Sequence, residues 1–434
     1  MSNRAKIDLF GRYQKEKKLK SLTDRDYQAL NSIYNFRCLS YEQIYELHYK
    51  YSEKTGKINT TDYSKRKMTL FMKLGIIREI KVYDKNMPLL YQLTMEGINI
   101  LRKQLQWPEN IYDEKSHLHV KGYLTESELN VKERFMPHQY NLNCFVLRLM
   151  EHFKDIPYKY EDEKHLKSFV NIRPDGAFTI GDITFFLEMD MGTEGSKQLQ
   201  EKWNNYRNFI NSNEYVFRER RVVILFIVDG IVKVNQRLAL IKDTVNKNFI
   251  DCFNYGIELY INTPDKLIET LKERILPELK GTYKKIYKTQ KTLFDKKYKI
   301  VNNPDTISKY FNGQNYSFFV RKNINDKSYD YLFDNFDEEP MSVIYRALFF
   351  DNLTNRFKSS IDSNLRLVLI CKDEKTAFRN YNIFQLKDIL FTTYDKINNL
   401  PFNEAIFSFD ANGTMYSYED ENLLTLKANG IIKL

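Results

Sequence analysis

Apolar residues recur at helical spacing in three stretches near the start of the chain, and each stretch follows a residue that favours a helix N-terminus. The expected capping residues are Thr23 or Asp24, Ser40, and Thr60 or Thr61. The third stretch carries an apolar stripe of Met68, Phe71, Met72 and Leu74. Gly75 follows as a C-terminal glycine, so the pattern predicts three consecutive helices.

Two short extended runs come next, Ile76–Val82 and Leu89–Leu93, joined by residues 83–88. Thr94 is expected to cap a closing helix, Met95–Leu105. Three helices, a two-stranded wing and a closing helix predict a winged helix-turn-helix domain over residues 1–104. The segments 73–77 and 91–97 resemble the winged-helix pattern of many bacterial regulators. A winged helix that binds other proteins is the alternative.

The third helix is expected to lie in the major groove of double-stranded DNA. Its polar face and the wing offer side chains for bases and phosphates. The predicted DNA-binding residues are Thr61, Lys65, Arg66, Lys67, Lys73, Lys81 and Lys85. The charge distribution supports this prediction. Residues 1–104 hold 21 Lys and Arg against 11 Asp and Glu, and their net charge of +10 equals that of the whole chain.

Composition excludes several other classes of protein. No apolar run approaches the roughly 20 residues that span a bilayer, and the mean hydropathy is −0.55. The basic N-terminus has no apolar segment of a secretory signal. The four cysteines lie far apart, at positions 38, 144, 252 and 371, which predicts neither a zinc site nor a disulfide framework. A cytoplasmic protein without a membrane partner is expected.

Residues 105–135 are polar and are interpreted as a linker to a central α/β domain over residues 136–271. That domain begins with a predicted helix, Pro137–Phe153. It continues with an Arg173-Pro174-Asp175 strand start and a strand over Ile183–Asp190. A helix over Lys197–Ile210 and a strand over Val222–Val228 complete it.

Three carboxylates of this domain are predicted to converge at one end of a sheet. Glu188 and Asp190 lie two residues apart on a strand, so their side chains point to the same face. Asp175 begins the neighbouring strand. Oxygen ligands of this kind suit Mg²⁺ or Mn²⁺, which can activate water for phosphodiester cleavage. Asp175, Glu188 and Asp190 are therefore the predicted metal ligands and, with Lys202, the predicted catalytic residues.

The central domain resembles the PD-(D/E)xK nuclease fold in three features, which are a Pro-Asp step, a strand ending in Glu-x-Asp and a helix carrying a lysine. Over residues 20–260, the chain resembles the plasmid replication-relaxation family. The matching features are the winged helix and the segments Pro137–Asn143, Arg173–Asp175 and Leu187–Thr193, with Lys202 and Tyr206 on the next helix. The resemblance implies a protein of a mobile element that acts in plasmid replication or in DNA relaxation for transfer.

The chain departs from the nuclease pattern at one position. Asp190 stands where that pattern has a lysine two residues after the glutamate, and Lys202 would have to take over its role. Two interpretations follow, a metal-dependent nickase or a non-catalytic DNA-binding regulator or initiator with a degenerate nuclease fold.

A competing chemistry rests on Ser116-His117-Leu118-His119-Val120, which matches the His-hydrophobic-His pattern of rolling-circle initiators and relaxases. In those proteins two histidines bind a divalent metal and a tyrosine attacks the phosphate. The flanking residues do not predict a buried strand, and three-residue matches arise by chance.

The remaining chain divides into a basic connector, 272–310, and a smaller α/β domain, 311–434. Residues 272–299 hold 10 Lys and Arg among aromatic residues, which is typical either of a nucleic-acid-binding segment or of an exposed helical linker. Tyr329–Phe336, Val343–Phe357 and Leu365–Cys371 parallel the strand, helix and strand of the central domain. The C-terminal domain is either a degenerate copy of that unit or an unrelated α/β domain.

The predicted fold class is multidomain α+β, and the predicted function is binding of plasmid or mobile-element DNA for replication or transfer. A third hypothesis is a protein-interaction scaffold. Two further partners are compatible with the predicted function: a second copy of the chain, which a palindromic site would require, and host replication or transfer proteins.

Overall fold

The computed structural model describes residues 17–52, 55–80, 87–113, 118–166, 169–216, 221–279, 284–296, 298–300, 316–324, 327–356, 365–420, 422–423 and 425–433. The chain forms two units, Met1–Gly181 and Asp182–Leu434.

The first unit opens with the three predicted helices. They are α1 (Asp24–Asn35), α2 (Tyr41–Ile44, continued by a π-helical turn, Tyr45–Tyr49) and α3 (Thr61–Lys73). Thr23 and Asp26 form a reciprocal capping box at the start of α1, and Ser40 and Gln43 do the same for α2. The π-helical turn turns Tyr45 and Tyr49 into the core, whereas Leu47 and His48 are only partly buried.

A small antiparallel sheet completes the winged helix. It has the order β1 (Leu39–Ser40), β3 (Leu90–Leu93), β2 (Ile77–Ile80). Gly75 ends α3 with a φ of 72°, and its N–H donates to the carbonyl of Met72. The closing helix α4 (Met95–Gln104) begins at Thr94, whose hydroxyl accepts from the Gly97 N–H. The predicted three helices, wing strands and closing helix are thus all present. The connecting residues 81–86 lie outside the described residues.

The segment interpreted as a linker carries structure of its own. Strands β4 (Asn110–Asp113) and β5 (Leu118–Lys121) form an antiparallel hairpin, followed by the short helix α5 (Glu126–Leu129). Helix α6 (Met136–His152) then follows, as predicted, and strands β6 (Tyr158–Asp162) and β7 (Gly176–Ile180) pair antiparallel.

The second unit begins with three parallel strands that alternate with helices. The strands are β8 (Ile183–Asp190), β9 (Arg221–Val228) and β10 (Glu258–Asn262). The helices are α7 (Ser196–Ile210), the short α8 (Asn213–Val216) and α9 (Val234–Asn248). Strand β8 is buried along its whole length, as is nearly all of β9, which is typical of a parallel sheet covered on both faces.

Three helices connect this part to a second sheet: α10 (Pro264–Thr270, continued by a π-helical turn), α11 (Leu276–Leu279) and α12 (Lys285–Asp295). The second sheet runs in order from β11 (Lys299–Ile300) and β12 (Phe318–Ile324) through β13 (Lys327–Phe336), β14 (Leu365–Cys371) and β15 (Leu390–Thr393) to β16 (Phe407–Phe409), β17 (Thr414–Tyr418) and β18 (Leu426–Ile431).

Strands β13, β14 and β15 are parallel, and the remaining neighbours are antiparallel. The helices of this part are α13 (Met341–Arg356), α14 (Glu374–Phe384), α15 (Tyr394–Asn399) and α16 (Phe402–Ala405).

The two α/β parts have the same order of elements along the chain. Helix α6 and strands β6–β8 are followed by α7, β9, α9 and β10. Helix α12 and strands β11–β13 are followed by α13, β14, α14 and β15. The strand pairings of the two parts agree as well, because the first pair is antiparallel and the last pairs are parallel in both. This agreement favours the interpretation of the C-terminal domain as a second copy of the central one.

Candidate nucleic-acid interface and carboxylate sites

Helix α3 presents a polar face to solvent. Its buried side is formed by Ser64, Met68 and Phe71, which anchor the helix in the winged-helix core. The exposed residues recur every three or four positions and therefore share one face: Thr61, Asp62, Lys65, Arg66, Thr69 and Lys73. Four of the predicted DNA-binding residues, Thr61, Lys65, Arg66 and Lys73, thus lie side by side.

Two of these cations already make loose contacts within the unit. The Lys65 ammonium lies 4.9 Å from the centre of the Tyr41 ring and 4.0 Å from an exposed Asp62 carboxylate. Arg66 donates to the Asp62 carbonyl at 3.3 Å. Because such exposed contacts contribute little to stability, these side chains can exchange them for phosphates.

Lys67 differs from its neighbours because its charge is used inside the domain. Its ammonium lies 2.8 Å from the carboxylate of Asp26, which is fully buried. Asp26 also accepts from the Tyr49 hydroxyl at 2.9 Å. This geometry gives Lys67 a structural partner. The wing residues Lys81 and Lys85 lie outside the described residues.

A buried polar network ties the winged helix to α6. Arg37 has a φ of 65° and its guanidinium donates to Gln139 and to Glu163, at 3.2 and 2.7 Å. Gln139 in turn donates to Asp162 at 3.0 Å. The Asn143 amide donates to the carbonyls of two winged-helix residues, Phe36 and Cys38, at 3.3 and 2.7 Å.

Burial raises the pKa of Asp162 to about 6, although Arg37 acts in the opposite direction. Gln139 and Asn143 belong to the segment 137–143 on which the family resemblance rests. The structure gives both of them a role in fixing the orientation of the winged helix within its unit.

Asp175 lies just before β7. One of its carboxylate oxygens lies 3.1 Å from the Nε2 atom of His138 on α6, within hydrogen-bond distance. The exposed fraction of the Asp175 side chain is 21%. This carboxyl is therefore partly open and has an imidazole neighbour.

Glu188 is almost completely buried on β8 and both of its oxygens have partners. Lys202 of α7 donates to one oxygen at 2.8 Å, and the Tyr206 hydroxyl donates to the other at 2.6 Å. Lys202, predicted to be a catalytic residue, is thus placed beside Glu188 and forms an ion pair with it. Lys202 also contacts Glu194 at 3.0 Å.

The carboxylate oxygens of Asp190 are bound by a residue that the sequence analysis did not identify as functional. Arg237 of α9 donates through Nε and Nη2 to the two Asp190 oxygens, at 2.6 and 2.7 Å, and through Nη1 to the Glu194 carbonyl. Both side chains are buried, with Asp190 1% and Arg237 9% exposed. A bidentate arginine satisfies the carboxylate geometry that a metal would need. The spacing of 47 residues left no local signal for this pair.

Mg²⁺ and Mn²⁺ require open carboxylate oxygens, usually with several water ligands. Glu188 and Asp190 do not fit this requirement, because a lysine, a tyrosine and an arginine bind their oxygens. In the part of the chain that the structure describes, the group of acidic residues close enough to share a metal lies elsewhere, at Glu273, Asp337 and Glu338.

That acidic group has a resident cation. The Lys285 ammonium lies 2.7 Å from Asp337 and 3.1 Å from Glu273. Burial raises the pKa of Glu338 to about 7, and the neighbouring Asp337 acts in the same direction. The group borders a cavity of about 740 Å³ at the ends of β10, β13 and β14.

The C-terminal α/β part has an ion pair that resembles the one between Lys202 and Glu188. Asp334 on β13 is 2% exposed, and Arg346 on the following helix α13 donates to it at 2.6 Å. Lys202 and Glu188 are related in the same way, with the carboxylate on a strand and the cation on the next helix. In each of the two α/β parts, this contact joins the first parallel strand to the helix that follows it.

His119 of the His-hydrophobic-His pattern lies on β5, opposite Tyr112 of β4. Their ring centres are 5.5 Å apart in an edge-to-face contact, and both residues are exposed. Ser116 and His117 lie outside the described residues. The hairpin is thus an exposed pair of strands, in agreement with the expectation that these residues form no buried strand.

A family model described as Replication-relaxation matches residues 30–224. This match confirms the resemblance over that range. No curated protein matches the chain.

Two solved structures are weakly similar. The restriction endonuclease FokI is 14% identical, with a TM-score of 0.20, over 60% of this chain and 46% of FokI. FokI bound to DNA is 12% identical, with a TM-score of 0.17, over 80% of this chain and 58% of that one. The chain thus spans about half the length of these proteins.

Among the described residues, no helix combines the length and the apolar character needed to cross a membrane.

Proposed function

Because the Replication-relaxation family model matches residues 30–224, we propose that the chain binds the DNA of a plasmid or mobile element and acts in its replication or in its relaxation for transfer. The observation that carries this proposal is the solvent-facing row of Lys65, Arg66 and Lys73 on α3. A helix of this kind contacts base edges near its N-terminus and phosphates along its length.

The proposal assigns the α/β part a non-catalytic role. A metal at Glu188 and Asp190 would have to displace Lys202 and Arg237 from buried ion pairs. Breaking such pairs costs several kcal/mol when a charge is left buried. We therefore favour a degenerate nuclease fold that positions DNA or partner proteins over a nickase that uses Asp175, Glu188, Asp190 and Lys202.

Duplex binding tests the role of α3. Arg66→Ala combined with Lys73→Ala removes two exposed cations from the helix. The slope of log affinity against log salt concentration should fall by about 2, since each phosphate contact contributes roughly 0.9. Fluorescence anisotropy measures this slope with a labelled duplex from the replication origin of the plasmid or mobile element that encodes the chain.

The matched control removes two exposed lysines on other elements of the same unit, Lys103→Ala with Lys121→Ala. It should leave the slope close to that of the wild type. An unchanged slope for the α3 variant would show that α3 is not the DNA reader and that the winged helix serves protein contacts.

Incubation of supercoiled cognate plasmid with Mg²⁺ or Mn²⁺ tests the non-catalytic role. We expect binding without nicking for the wild type, for Asp175→Ala and for Glu188→Ala. Nicking by the wild type that both variants lose, while all three still bind DNA, would instead establish a metal nuclease site.

A further inference from the structure

Helix α12 has one anchored face and one exposed face. Thr289 and Leu293 are buried, and Leu293 packs into the core beside the second sheet. The opposite face carries Tyr287 and Phe294, each 67% exposed. Two large aromatic side chains on one exposed helix face are suited to a partner with planar apolar groups.

The same face is basic. Lys284, Lys288 and Lys291 are exposed and lie within the arc of the helix that holds the two aromatic residues. Asp295, at the end of the helix, is the acidic residue on this arc. No ion pair within the described part of the second unit involves any of these three lysines, whereas Lys285, on the helix flank, is bound by Asp337 and Glu273.

A basic groove adjoins the end of α12. Lys296, the C-terminal cap of the helix, lines a cavity of about 500 Å³ together with Lys299, Lys322 and Tyr298. The other lining residues are Arg321, Asn323, Pro401, Phe402 and Asn403. None of the described residues that line it is acidic, although Arg321 is neutralised from outside by a bidentate contact with Asp330 at 2.7 and 2.8 Å.

The groove also contains two aromatic rings in a tilted contact, of which that of Phe402 is buried. Tyr298 and Phe402 have ring centres 4.8 Å apart. The Lys322 ammonium lies 5.4 Å from the centre of Phe402 and 5.8 Å from that of Tyr298. The groove therefore continues the combination of cations and aromatic rings that the exposed face of α12 begins.

We propose that the exposed face of α12 and the adjoining groove bind single-stranded DNA, with the lysines on phosphates and Tyr287 and Phe294 stacked on bases. A positively charged track with exposed aromatic rings is the combination that binds unpaired strands, because unpaired bases expose their flat faces. A duplex hides those faces within its base stack. From Lys284 to Lys296 the helix extends roughly 18 Å, which is enough for a few nucleotides.

This inference deepens the proposed function, since replication initiation and relaxation both expose unpaired strands next to a duplex site. The two interfaces lie in different units and use different residues. Loss of duplex binding by the α3 variant and loss of single-strand binding by an α12 variant are therefore separate results.

The experiment measures anisotropy of a fluorescent oligo(dT) of about 12 nucleotides with the full chain. Tyr287→Ala combined with Phe294→Ala should weaken oligo(dT) binding roughly 10- to 100-fold, because each stacked base contributes at the level of a several-fold to a hundredfold change. Lys288→Ala combined with Lys291→Ala should lower the salt slope by about 1.4, at roughly 0.7 for each single-strand contact. Duplex binding through α3 should remain unchanged in both variants, and thermal unfolding of the second unit close to that of the wild type shows that they fold.

Tyr255→Ala is the matched control, because Tyr255 is 57% exposed on another element of the same unit. It should leave oligo(dT) binding unchanged. Oligo(dT) affinity that is the same in the wild type and in both α12 variants would overturn the proposal. A second result would also overturn it: the wild type binds phosphatidylserine vesicles but not oligo(dT), and the aromatic substitutions abolish vesicle binding. The face would then bind an anionic membrane.

Discussion

At the scale of single residues, burial gives similar side chains different tasks. Lys67 and Lys73 lie on the same helix, but the first neutralises the buried Asp26 and the second faces solvent. Glu188 and Asp190 are two residues apart, and each has its own cation, from α7 and α9 respectively. The residue type predicts the charge, whereas the partner determines its use.

Asp162 makes the stability of the first unit depend on pH. Its pKa is raised to about 6 in the folded protein, so the folded state holds this proton more tightly than the unfolded chain does. The contribution is fully present below about pH 4 and is lost as the pH rises through about 6, with a total on the order of 2–3 kcal/mol.

We expect the stability of the wild type relative to Asp162→Asn to fall between pH 4 and pH 7. Hydrogen exchange of the α1 and α6 amides in both proteins measures it. Glu161→Gln on the same strand is the control and should show no such trend. A wild-type advantage that stays constant over this pH range would contradict the raised pKa.

At the scale of elements, close packing between the segment that follows α3 and the start of α4 positions the wing. The Thr94 hydroxyl donates to the carbonyls that follow α3, those of Gly75 and Ile76, at 2.6 and 3.0 Å. Gly97 in the first turn of α4 lies against the same segment. A Cβ atom at Gly97 would be 2.2 Å from the Ile76 carbonyl oxygen, which is backbone and cannot turn away.

Gly97→Ala should therefore destabilise the winged helix by about 1–3 kcal/mol, although alanine is the better helix former by about 1 kcal/mol. It should also weaken duplex binding, because α4 and the wing must shift together. Thermal unfolding and anisotropy measure the two effects.

Gly56→Ala serves as the comparison in this unit. Gly56 has a φ of 65° but has nothing within 4 Å of the added Cβ. Gly56→Ala should lower the free energy of unfolding by about 1–2 kcal/mol, because alanine is strained in this left-handed backbone conformation. It should leave duplex binding unchanged. An equal or greater stability of Gly97→Ala than of the wild type would rule out the close contact with Ile76.

At the scale of the whole molecule, the chain contains the same order of strands and helices twice, with a carboxylate on a strand bound by a cation from the next helix in each copy. Lys202 binds Glu188 and Arg346 binds Asp334. The occurrence of this contact in a part that lacks the Arg-Pro-Asp strand start favours a packing role over a catalytic role.

Lys202→Ala and Arg346→Ala should each lower the stability of the second unit by about 3 kcal/mol, because each leaves a buried carboxylate without its cation. Urea unfolding measures this loss. Lys247→Ala, which breaks an exposed pair with Asp243, should change stability by less than about 1 kcal/mol. If Lys202→Ala keeps full stability but loses metal-dependent nicking, Lys202 is a catalytic residue and the non-catalytic proposal is wrong.

The sequence by itself determined the elements of the winged helix, a minority of the helices and strands of the α/β parts (α6, β8, α7, β9, β13, α13 and β14), and the basic excess of residues 1–104. Capping residues, apolar periodicity and charge counts are local properties, so they can be read within about a dozen residues. The family resemblance over residues 30–224 also rested on short segments.

Only the tertiary structure decided what those residues contact. Lys67 meets Asp26, Arg37 meets Glu163 and Asp190 meets Arg237 across 41, 126 and 47 residues. No periodicity records such distances, because packing brings together side chains from helices and strands that are remote along the chain. The sequence thus predicted three carboxylates in a pattern that suits a metal, and the folded unit showed that an arginine and a lysine hold Asp190 and Glu188.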